Sequence, residues 1–319
     1  MKLPLVVLVG PTAVGKTALS VAVAQAVGAE IISGDSMQVY RGMDIGTAKI
    51  RPEEMRGVPH HLIDIKDPDE EFSVAEFQAR VDALIPQICA RGRLPMLVGG
   101  TGLYVRAVVE KYTFTPMEAD HELRARLRQE EERHGPGYLH ARLREVDPAS
   151  AARLHPNDLL RIVRALEVYE QTGVPISATQ TAAFSEPRYD DLMIGLTMDR
   201  AQLYARIDER VDAMLAAGWL DEVRGLLVRY PPHVRAMQAL GYRELVLYLR
   251  GLLTWEEAVA LIKRNTRRFA KRQFTWFRKE RRLTWLDLTG PEARNRAAEE
   301  IVRLIREKWP CRERKGRIE

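Results

Sequence analysis

Short apolar runs alternate with amphipathic stretches along the first third of the chain. Three of these runs hold few polar residues, which is typical of parallel strands buried on both faces: 4–9, 29–33 and 94–98. The stretch from Thr17 to Val27 has the length and pattern of a helix and stops at Gly28, a residue that commonly ends helices. Up to about residue 112 the pattern therefore predicts an α/β core in which helices cross over between parallel strands.

The pattern changes between residues 113 and 190, where helices rich in arginine and glutamate are predicted. Three of them cover 120–134, 137–146 and 148–154. The clearest runs from Asn157 or Asp158, with a side-chain cap, to Tyr169, and Gly173 follows it. A strand-like run at 192–197 then resumes the earlier pattern. We therefore expect a discontinuous core, residues 1–112 and 191–319, interrupted by an inserted all-helical domain at 113–190.

The last third of the chain is predicted to be mainly helical. The predicted elements are helices at 200–217, 219–229, about 239–250 and 254–279, a strand at 283–288, a helix at 291–309 and a polar tail from Cys311 to Glu319. Thr254 and Glu257 have the spacing of a capping box, which marks the start of the longest helix.

Positive charge is concentrated on this longest helix and just beyond it. Between Lys263 and Arg282 there are ten basic residues and one acid. The basic residues at 264, 268 and 272, and at 263, 267 and 271, recur every four positions, so they are expected to share one broad face. Such a face is often only solvated, but the lack of nearby acids favours contact with a phosphate backbone, above all through Arg268 and Arg272. The interleaved aromatic residues are core anchors or base-stacking platforms: Phe269, Phe274, Trp276 and Phe277.

A glycine-rich motif directly follows the first predicted strand. The residues are Gly10, Pro11, Thr12, Ala13, Val14, Gly15, Lys16 and Thr17, and they match the P-loop pattern G-x-x-x-x-G-K-[ST]. In this pattern backbone N–H groups and the following helix N-terminus face an anion, the lysine adds a point charge, and the threonine hydroxyl is suited to Mg²⁺. The sequence therefore predicts a site for a di- or triphosphate with Mg²⁺ held partly by Thr17, although a plain tight turn is the alternative.

Two further loops follow predicted strands and should meet the P-loop at the carboxyl edge of the sheet. Asp35 lies in the first, and it is interpreted as a base on the acceptor side, a Mg²⁺ ligand or a helix or turn cap. Thr101 lies in the second, the glycine-rich segment 99–102, which serves either close approach of a ligand or a structural turn. His60, His61 and Asp64 lack metal-ligand spacing and are interpreted as structural.

Composition narrows the class of protein. The chain has 319 residues, of which 46% are apolar and 29% charged, so it is globular and holds one large or two ordinary domains. Its two cysteines, Cys89 and Cys311, form no disulfide framework or metal cluster, which fits the reducing cytoplasm. No stretch has the roughly 20 apolar residues of a membrane span, and the first run continues into the P-loop instead of a signal cleavage site. No membrane or protein partner is implied, and a monomer is the default expectation.

Several segments resemble one family, the tRNA dimethylallyltransferases, also called tRNA isopentenyltransferases. The resemblance spans nearly the whole chain and rests on the P-loop and seven further segments: 35–49, 59–65, 98–104, 155–158, 164–168, 238–243 and 270–276. The segment from Asp35 to Lys49 is the most specific. The fold implied is a P-loop NTPase-like parallel sheet with an inserted helical tRNA-binding domain.

The resemblance implies transfer of a dimethylallyl group from dimethylallyl diphosphate to N6 of the adenosine next to the anticodon, on tRNAs that read codons beginning with U. Lys16, Thr17, a Mg²⁺ ion and either Arg206 or Arg210 would then hold the diphosphate. Asp35 would be the base for the adenine amine, and Thr101 would lie at the entry of the flipped nucleotide. The implied tRNA contacts are Asp35, Ser36, Met37, Gln38, Thr101, Arg124, Leu160, Arg161, Ile162, Val163, Arg164, Gln238, Ala239, Leu240, Gly241, Tyr242 and Arg243.

Two other classes share part of this pattern. A small-molecule kinase would use the P-loop and the carboxylate but would not need the arginine face. An RNA-stimulated ATPase would keep the basic surface without transfer chemistry. ATP consumption without tRNA would identify the first, and hydrolysis stimulated by RNA the second.

Overall fold

The chain folds into two compact units, and one of them is discontinuous in sequence. The computed structural model describes residues 2–110, 119–179 and 187–310. The sheet unit consists of Met1–Val109 and Arg188–Glu319, and the helical unit of Glu110–Pro187. The sequence pattern predicts the insertion at 113–190, three residues later at each end (113 against 110 and 190 against 187). The predicted tail from residue 311 and the predicted border at 112/113 lie outside the described residues.

The sheet unit opens with alternating strands and helices. These are β1 (Pro4–Val9), α1 (Lys16–Val27), β2 (Ala29–Ser33), β3 (His60–His61), α2 (Val74–Ala90), β4 (Leu94–Gly99) and α3 (Gly102–Val109). The three predicted strands are confirmed to within one residue. The helix α2 is capped by Ser73, whose hydroxyl accepts a hydrogen bond from the Glu76 N–H (3.1 Å).

The helical unit contains α4 (His121–His134), α5 (Tyr138–Val146), α6 (Pro148–Arg153), α7 (Leu159–Thr172) and α8 (Ile176–Thr179). Its core is formed by one apolar stripe from each of the longer helices, including Leu127, Leu143 and Leu166. The predicted side-chain cap of α7 is wrong. Asp158 occupies the cap position, but its carboxylate caps no N–H and instead accepts a hydrogen bond from Arg161 (3.0 Å).

The chain then returns to the sheet unit with β5 (Asp190–Thr197), α9 (Arg200–Ala216), α10 (Trp219–Arg229), a 3₁₀ turn (Ala236–Gln238), α11 (Tyr242–Leu249), α12 (Trp255–Phe277), β6 (Thr284–Asp287) and α13 (Ala293–Lys308). The predicted capping box at the start of α12 is confirmed. The Thr254 hydroxyl accepts from the Glu257 N–H (3.2 Å), and the Glu257 carboxylate accepts from the Thr254 N–H (2.8 Å).

In the described part of the chain, six strands form one parallel sheet in the order β3-β2-β4-β1-β5-β6. The central strand β1 is buried on both faces: Leu5, Val7 and Val9 belong to one apolar cluster and Val6 and Leu8 to another. The predicted fold class is confirmed. Because all strands run the same way, their carboxyl ends lie at one edge, where the P-loop and the loops containing Asp35 and Thr101 emerge. Within the described residues, no helix is both long and apolar enough for a membrane crossing.

Candidate active site

The P-loop connects β1 to α1 and leaves the start of α1 open to an anion. Ala13 (φ 64°) and Gly15 (φ 105°) have left-handed backbone conformations, which turn the chain tightly at this point. Gly15 is the N-cap of α1, so no side chain caps the helix, and its first turn contains no acidic residue. The N–H groups of this turn and the positive end of the helix dipole are therefore available to a phosphate group.

Lys16 is held against its own loop. Its ammonium donates to the carbonyl oxygens of Gly10 (2.9 Å) and Pro11 (2.8 Å). Burial and the nearby positive charge of Arg210 lower the pKa of Lys16, the carboxylate of Asp35 opposes both effects, and the net result is a pKa of about 7. The cradle thus holds excess positive charge, which an anionic ligand would stabilise.

Asp35 follows β2, and its two carboxylate oxygens differ in their hydrogen bonds. Its Oδ1 accepts hydrogen bonds from the N–H groups of Met37 (2.8 Å) and Gln38 (3.3 Å), so it closes the turn that was one of the three sequence interpretations. Among the described residues Oδ2 has no hydrogen-bond partner. The second oxygen is therefore available to a ligand while the first keeps the carboxylate oriented.

The glycines of the loop 99–102 are required by their neighbours. A Cβ on Gly99 would lie 2.4 Å from the Gly34 carbonyl oxygen, one on Gly100 would lie 2.2 Å from the Gln273 side-chain nitrogen, and one on Gly102 would lie 2.1 Å from the Trp276 ring. Close packing thus accounts for the glycines, which favours the structural interpretation of this segment. Thr101, which lies between them, is part of a cavity wall.

These loops surround a central cavity of about 540 Å³, which lies entirely within the sheet unit. Its lining includes most of the residues predicted for this unit: Thr12, Ala13, Asp35, Ser36, Met37, Thr101, Arg210, Gln238, Ala239, Leu240, Tyr242, Arg243, Arg268 and Arg272. Gly241 is absent from this lining because it packs against Trp219, where a Cβ would lie 2.0 Å from the indole ring. The cavity brings Thr12 and Ala13 of the P-loop together with an available carboxylate oxygen and two exposed arginines.

A second, smaller pocket of about 60 Å³ lies beside the P-loop. Thr17, Ser20 and Ser33 contribute hydroxyl groups to it, and Lys16, Asp35 and Gln38 also line it. Among the described residues no group of three or more His, Cys, Asp or Glu side chains could hold a metal ion. Mg²⁺ commonly takes one or two protein oxygens and completes its shell with water and phosphate oxygens, so Thr17 and Asp35 suit it only in the presence of a phosphorylated ligand.

The structure separates the two arginines between which the sequence could not choose. Arg210 lines the central cavity together with Asp35. Arg206 lines another cavity with Val14, Gln202 and Arg294, on the side where a Cβ of Gly15 would face its guanidinium at 3.7 Å. Desolvation lowers the pKa of both guanidinium groups. Arg210 is therefore the arginine that faces the carboxylate.

The basic residues recur along one continuous helix, α12, as the sequence predicts, but two of them are paired with acids of another helix. Lys263 donates to Asp212 (2.7 Å) and Arg267 to Asp208 (2.5 Å), so these two cations are neutralised by carboxylates of α9 that are distant in sequence, and the expected lack of nearby acids is wrong for them. Arg268 and Arg272 are exposed, and both line the central cavity. Phe269 also lines the cavity, whereas Phe277 is buried and Trp276 packs on Gly102.

In the helical unit the buried carboxylate of Glu167 is hydrogen-bonded to Arg124 and Arg164, two arginines predicted to contact tRNA. Glu167 is 0% exposed and accepts two hydrogen bonds from Arg124 (both 2.9 Å), one from Arg164 (2.6 Å) and one from the Asp120 N–H (2.9 Å). Burial raises the pKa of the Glu167 carboxyl, but these hydrogen bonds outweigh burial, and the pKa is lowered. The two arginines are thereby fixed in place.

The other predicted residues of the helical unit fall into two groups. Leu160 is 76% exposed, and Arg161 is exposed on the same turn. Ile162 and Val163 are buried in the core of the unit, so the prediction that they contact tRNA is not met by their side chains, because the apolar stripe of α7 points inward at these positions. Any contact there would have to involve the backbone.

Several residues that shape the site were not predicted. Trp219 fills the space between Gly46 and Gly241, and Glu222 accepts hydrogen bonds from the Ile45 N–H (2.6 Å) and the Tyr242 hydroxyl (2.6 Å). Ile45 lies 177 residues from Glu222 and Tyr242 lies 20 residues from it, so no local pattern identifies these contacts.

The histidines considered as metal ligands have ordinary partners. His60 contacts the Val58 carbonyl oxygen (2.8 Å), His61 contacts the buried carboxylate of Glu30 (2.7 Å), and Asp64 pairs with Lys49 (2.5 Å). These contacts agree with the structural interpretation.

The fold and the site together define a protein with a P-loop-like core, in which a parallel sheet carries a P-loop at the edge of a cavity lined by acidic and basic side chains. Comparison with known proteins identifies it further, because the IPP transferase family matches residues 38–280. The chain belongs to this family and is an enzyme of the transferase class. It is 99% identical to the tRNA dimethylallyltransferase of Symbiobacterium thermophilum over 100% of both chains.

Solved structures agree with this assignment. The tRNA isopentenylpyrophosphate transferase of Bacillus halodurans is 49% identical, with 98% of this chain and 99% of that chain covered and a TM-score of 0.73. A eukaryotic dimethylallyltransferase acting on tRNA is 30% identical, with 95% and 80% covered and a TM-score of 0.81.

Proposed function

We propose that this enzyme prenylates tRNA: it transfers the dimethylallyl group of dimethylallyl diphosphate to N6 of the adenosine on the 3′ side of the anticodon, in tRNAs that read codons beginning with U. The observation that carries the proposal is the central cavity, in which Thr12 and Ala13 of the P-loop, Asp35 and the exposed arginines of α12 share one space; Asp35 also lines the smaller pocket with Lys16 and Thr17. The names of the relatives, tRNA dimethylallyltransferase and tRNA isopentenylpyrophosphate transferase, support the same reaction.

The donor end of the reaction belongs to the P-loop. The uncapped N–H groups of α1, Lys16 and Arg210 surround the position proposed for the diphosphate. As the allylic C–O bond breaks, negative charge grows on the leaving diphosphate, and groups already aimed at it stabilise the transition state. Mg²⁺, held by Thr17 and phosphate oxygens, would supply further positive charge when it is bound.

Asp35 and Thr101 are proposed to contact the acceptor, the adenosine of the tRNA. The adenine amine is a weak nucleophile, since its lone pair is delocalised into the ring, so the electrophile must partly ionise first. Asp35 Oδ2 is proposed to orient the amine and to take one of its protons as the new C–N bond forms. A base inside a tRNA loop must leave its stack to reach this carboxylate. Arg268 and Arg272 are proposed to hold the tRNA backbone meanwhile.

A labelled-donor assay tests this function. The enzyme is incubated with labelled dimethylallyl diphosphate, Mg²⁺ and an unmodified tRNA that reads codons beginning with U, and label is sought on the RNA. Label at N6 of the adenosine next to the anticodon is expected, and a tRNA in which that adenosine is replaced by guanosine should remain unlabelled. Consumption of ATP without tRNA would indicate a kinase instead, and RNA-stimulated ATP hydrolysis without label on the RNA would indicate an ATPase.

A further inference from the structure

One buried side chain joins the two loops that the reaction must bring together. Gln273 lies on α12 and is 6% exposed. Its Oε1 accepts a hydrogen bond from the Thr12 N–H in the P-loop (2.9 Å), and its Nε2 donates to the Gly100 carbonyl oxygen (3.0 Å). Both groups of one amide are therefore used, and each is used on a different loop.

The connection is geometrically specific. The Cβ that any other residue would carry at position 100 would lie 2.2 Å from the Gln273 nitrogen and 3.3 Å from the Gly10 carbonyl oxygen. The P-loop, the loop 99–102 and the glutamine are thus packed together without space for another atom. Thr12, whose N–H bonds to Gln273, and Thr101, which follows Gly100, both line the central cavity.

The position of Gln273 along α12 adds a third element. Arg272 precedes it directly and Arg268 lies five residues earlier, and both line the same cavity. The helix is anchored beside the glutamine by Ala270 (0% exposed) and Phe277 (2% exposed). The same rigid helix therefore presents the arginines to the cavity and sets the spacing between the other two loops.

We propose that Gln273 is a positioning residue: it holds the diphosphate cradle and the acceptor loop at the separation needed for attack. This inference rests on the proposed prenyl transfer. Attack requires the amine nitrogen and the allylic carbon to approach to roughly 3–3.5 Å, and a displacement of about 1 Å can cost a factor of about 100 in rate. Gln273 itself touches neither reactant in this scheme, so its removal should impair turnover and leave binding nearly intact.

Three variants and one control test the proposal. Gln273→Met keeps the length of the side chain and loses both hydrogen bonds, and Gln273→Asn keeps the amide but is one methylene too short to reach both loops. For both we expect kcat for prenyl transfer to fall by about 10- to 100-fold. The dissociation constants for inorganic diphosphate and for tRNA should change by less than about threefold. Thr275→Val is the control, because its exposed hydroxyl donates to the Lys271 carbonyl oxygen of its own helix and, among the described residues, to no loop of the site.

Gln273→Glu adds a second measurement, the pH dependence of kcat, because the number of hydrogen bonds that this side chain can make depends on its protonation. The ionised carboxylate accepts from Thr12 but repels the Gly100 carbonyl oxygen, whereas the protonated carboxyl accepts from one and donates to the other. The ratio of variant to wild-type kcat should therefore rise as the pH falls. A pH-independent ratio, or a Gln273→Met enzyme with normal kcat, would overturn the proposal. An inactive wild-type enzyme would instead refute the proposed prenyl transfer, and the inference with it.

Discussion

The division of α12 into two rows of cations predicts different behaviour for adjacent arginines. Arg268 and Arg272 are exposed at the central cavity, whereas Arg267 is paired with Asp208 at 2.5 Å. Each phosphate contact contributes about 0.9 to the slope of log K against log salt for duplex and about 0.7 for single strands, so removing two contacts should flatten the slope by about 1.4 to 1.8. When the salt concentration rises from about 50 to about 200 mM, the tRNA affinity of the wild type falls by some factor. For the double variant Arg268→Ala/Arg272→Ala that factor should be smaller by about 7- to 12-fold.

Fluorescence anisotropy with a labelled anticodon stem-loop measures this slope at four or five salt concentrations. Arg267→Ala is the matched control: it removes the same charge from the same helix, but one that a carboxylate already neutralises. Its slope should equal that of the wild type, and its stability should fall by no more than about 1 kcal/mol, because the pair with Asp208 is partly exposed. Equal slopes for the double variant and the wild type would remove this row of arginines from the RNA interface.

Three other predictions follow from the site and from the helical unit. Asp35→Asn should keep the turn at Met37, because the amide oxygen still accepts the N–H, but lower kcat by about 10²–10⁴-fold with tRNA affinity changed only a few-fold; a matching loss of affinity would contradict a base role. Since the pKa of Lys16 is lowered to about 7, most of this side chain is neutral at pH 8 and charged at pH 6. Donor binding should therefore take up a proton at pH 8 but not at pH 6, as seen by titration calorimetry in buffers of different ionisation enthalpy, and Lys16→Met should show no uptake. Glu167→Gln should destabilise the helical unit by about 3–5 kcal/mol in urea, because Arg124 and Arg164 lose their buried carboxylate. Glu170→Gln, at partly exposed ion pairs with Arg126 and Arg142, should cost about 0–1 kcal/mol, and equal losses would show that burial of the carboxylate is not decisive.

Elements with a strong local pattern were predictable. β1, β2 and β4 are continuous apolar runs, and the capping box of α12 is a motif of four residues, so neighbouring residues contain the whole signal. α2 contains Pro86 in its interior, a residue that usually argues against a helix, and β3 has only two residues, which is too short for any periodicity. The bounds of these two elements were not predicted for that reason.

The arrangement of the site depended on tertiary contacts that no local pattern contains. The presence of Lys16, Asp35 and Thr101 at one edge follows from strand order, so the sequence could bring them together. The pairing of Arg267 with Asp208 and the link from Gln273 to Thr12 join residues 59 and 261 positions apart. The helical face inferred for the arginines was sound in its periodicity, but only the position of α9 decided which of them are neutralised.

The chain leaves and re-enters the sheet unit at one point. The Arg188 N–H donates to the Val109 carbonyl oxygen (3.1 Å), and Asp82 accepts from both the Arg188 guanidinium (2.5 Å) and the Tyr189 hydroxyl (2.7 Å). The two residues that flank the helical unit in the sheet unit, Val109 and Arg188, therefore lie next to each other and are held by hydrogen bonds. A tight turn is long enough to connect these two residues. The helical unit could therefore be removed, lengthened or replaced by that of a relative without moving the strands and helices that carry the cavity residues.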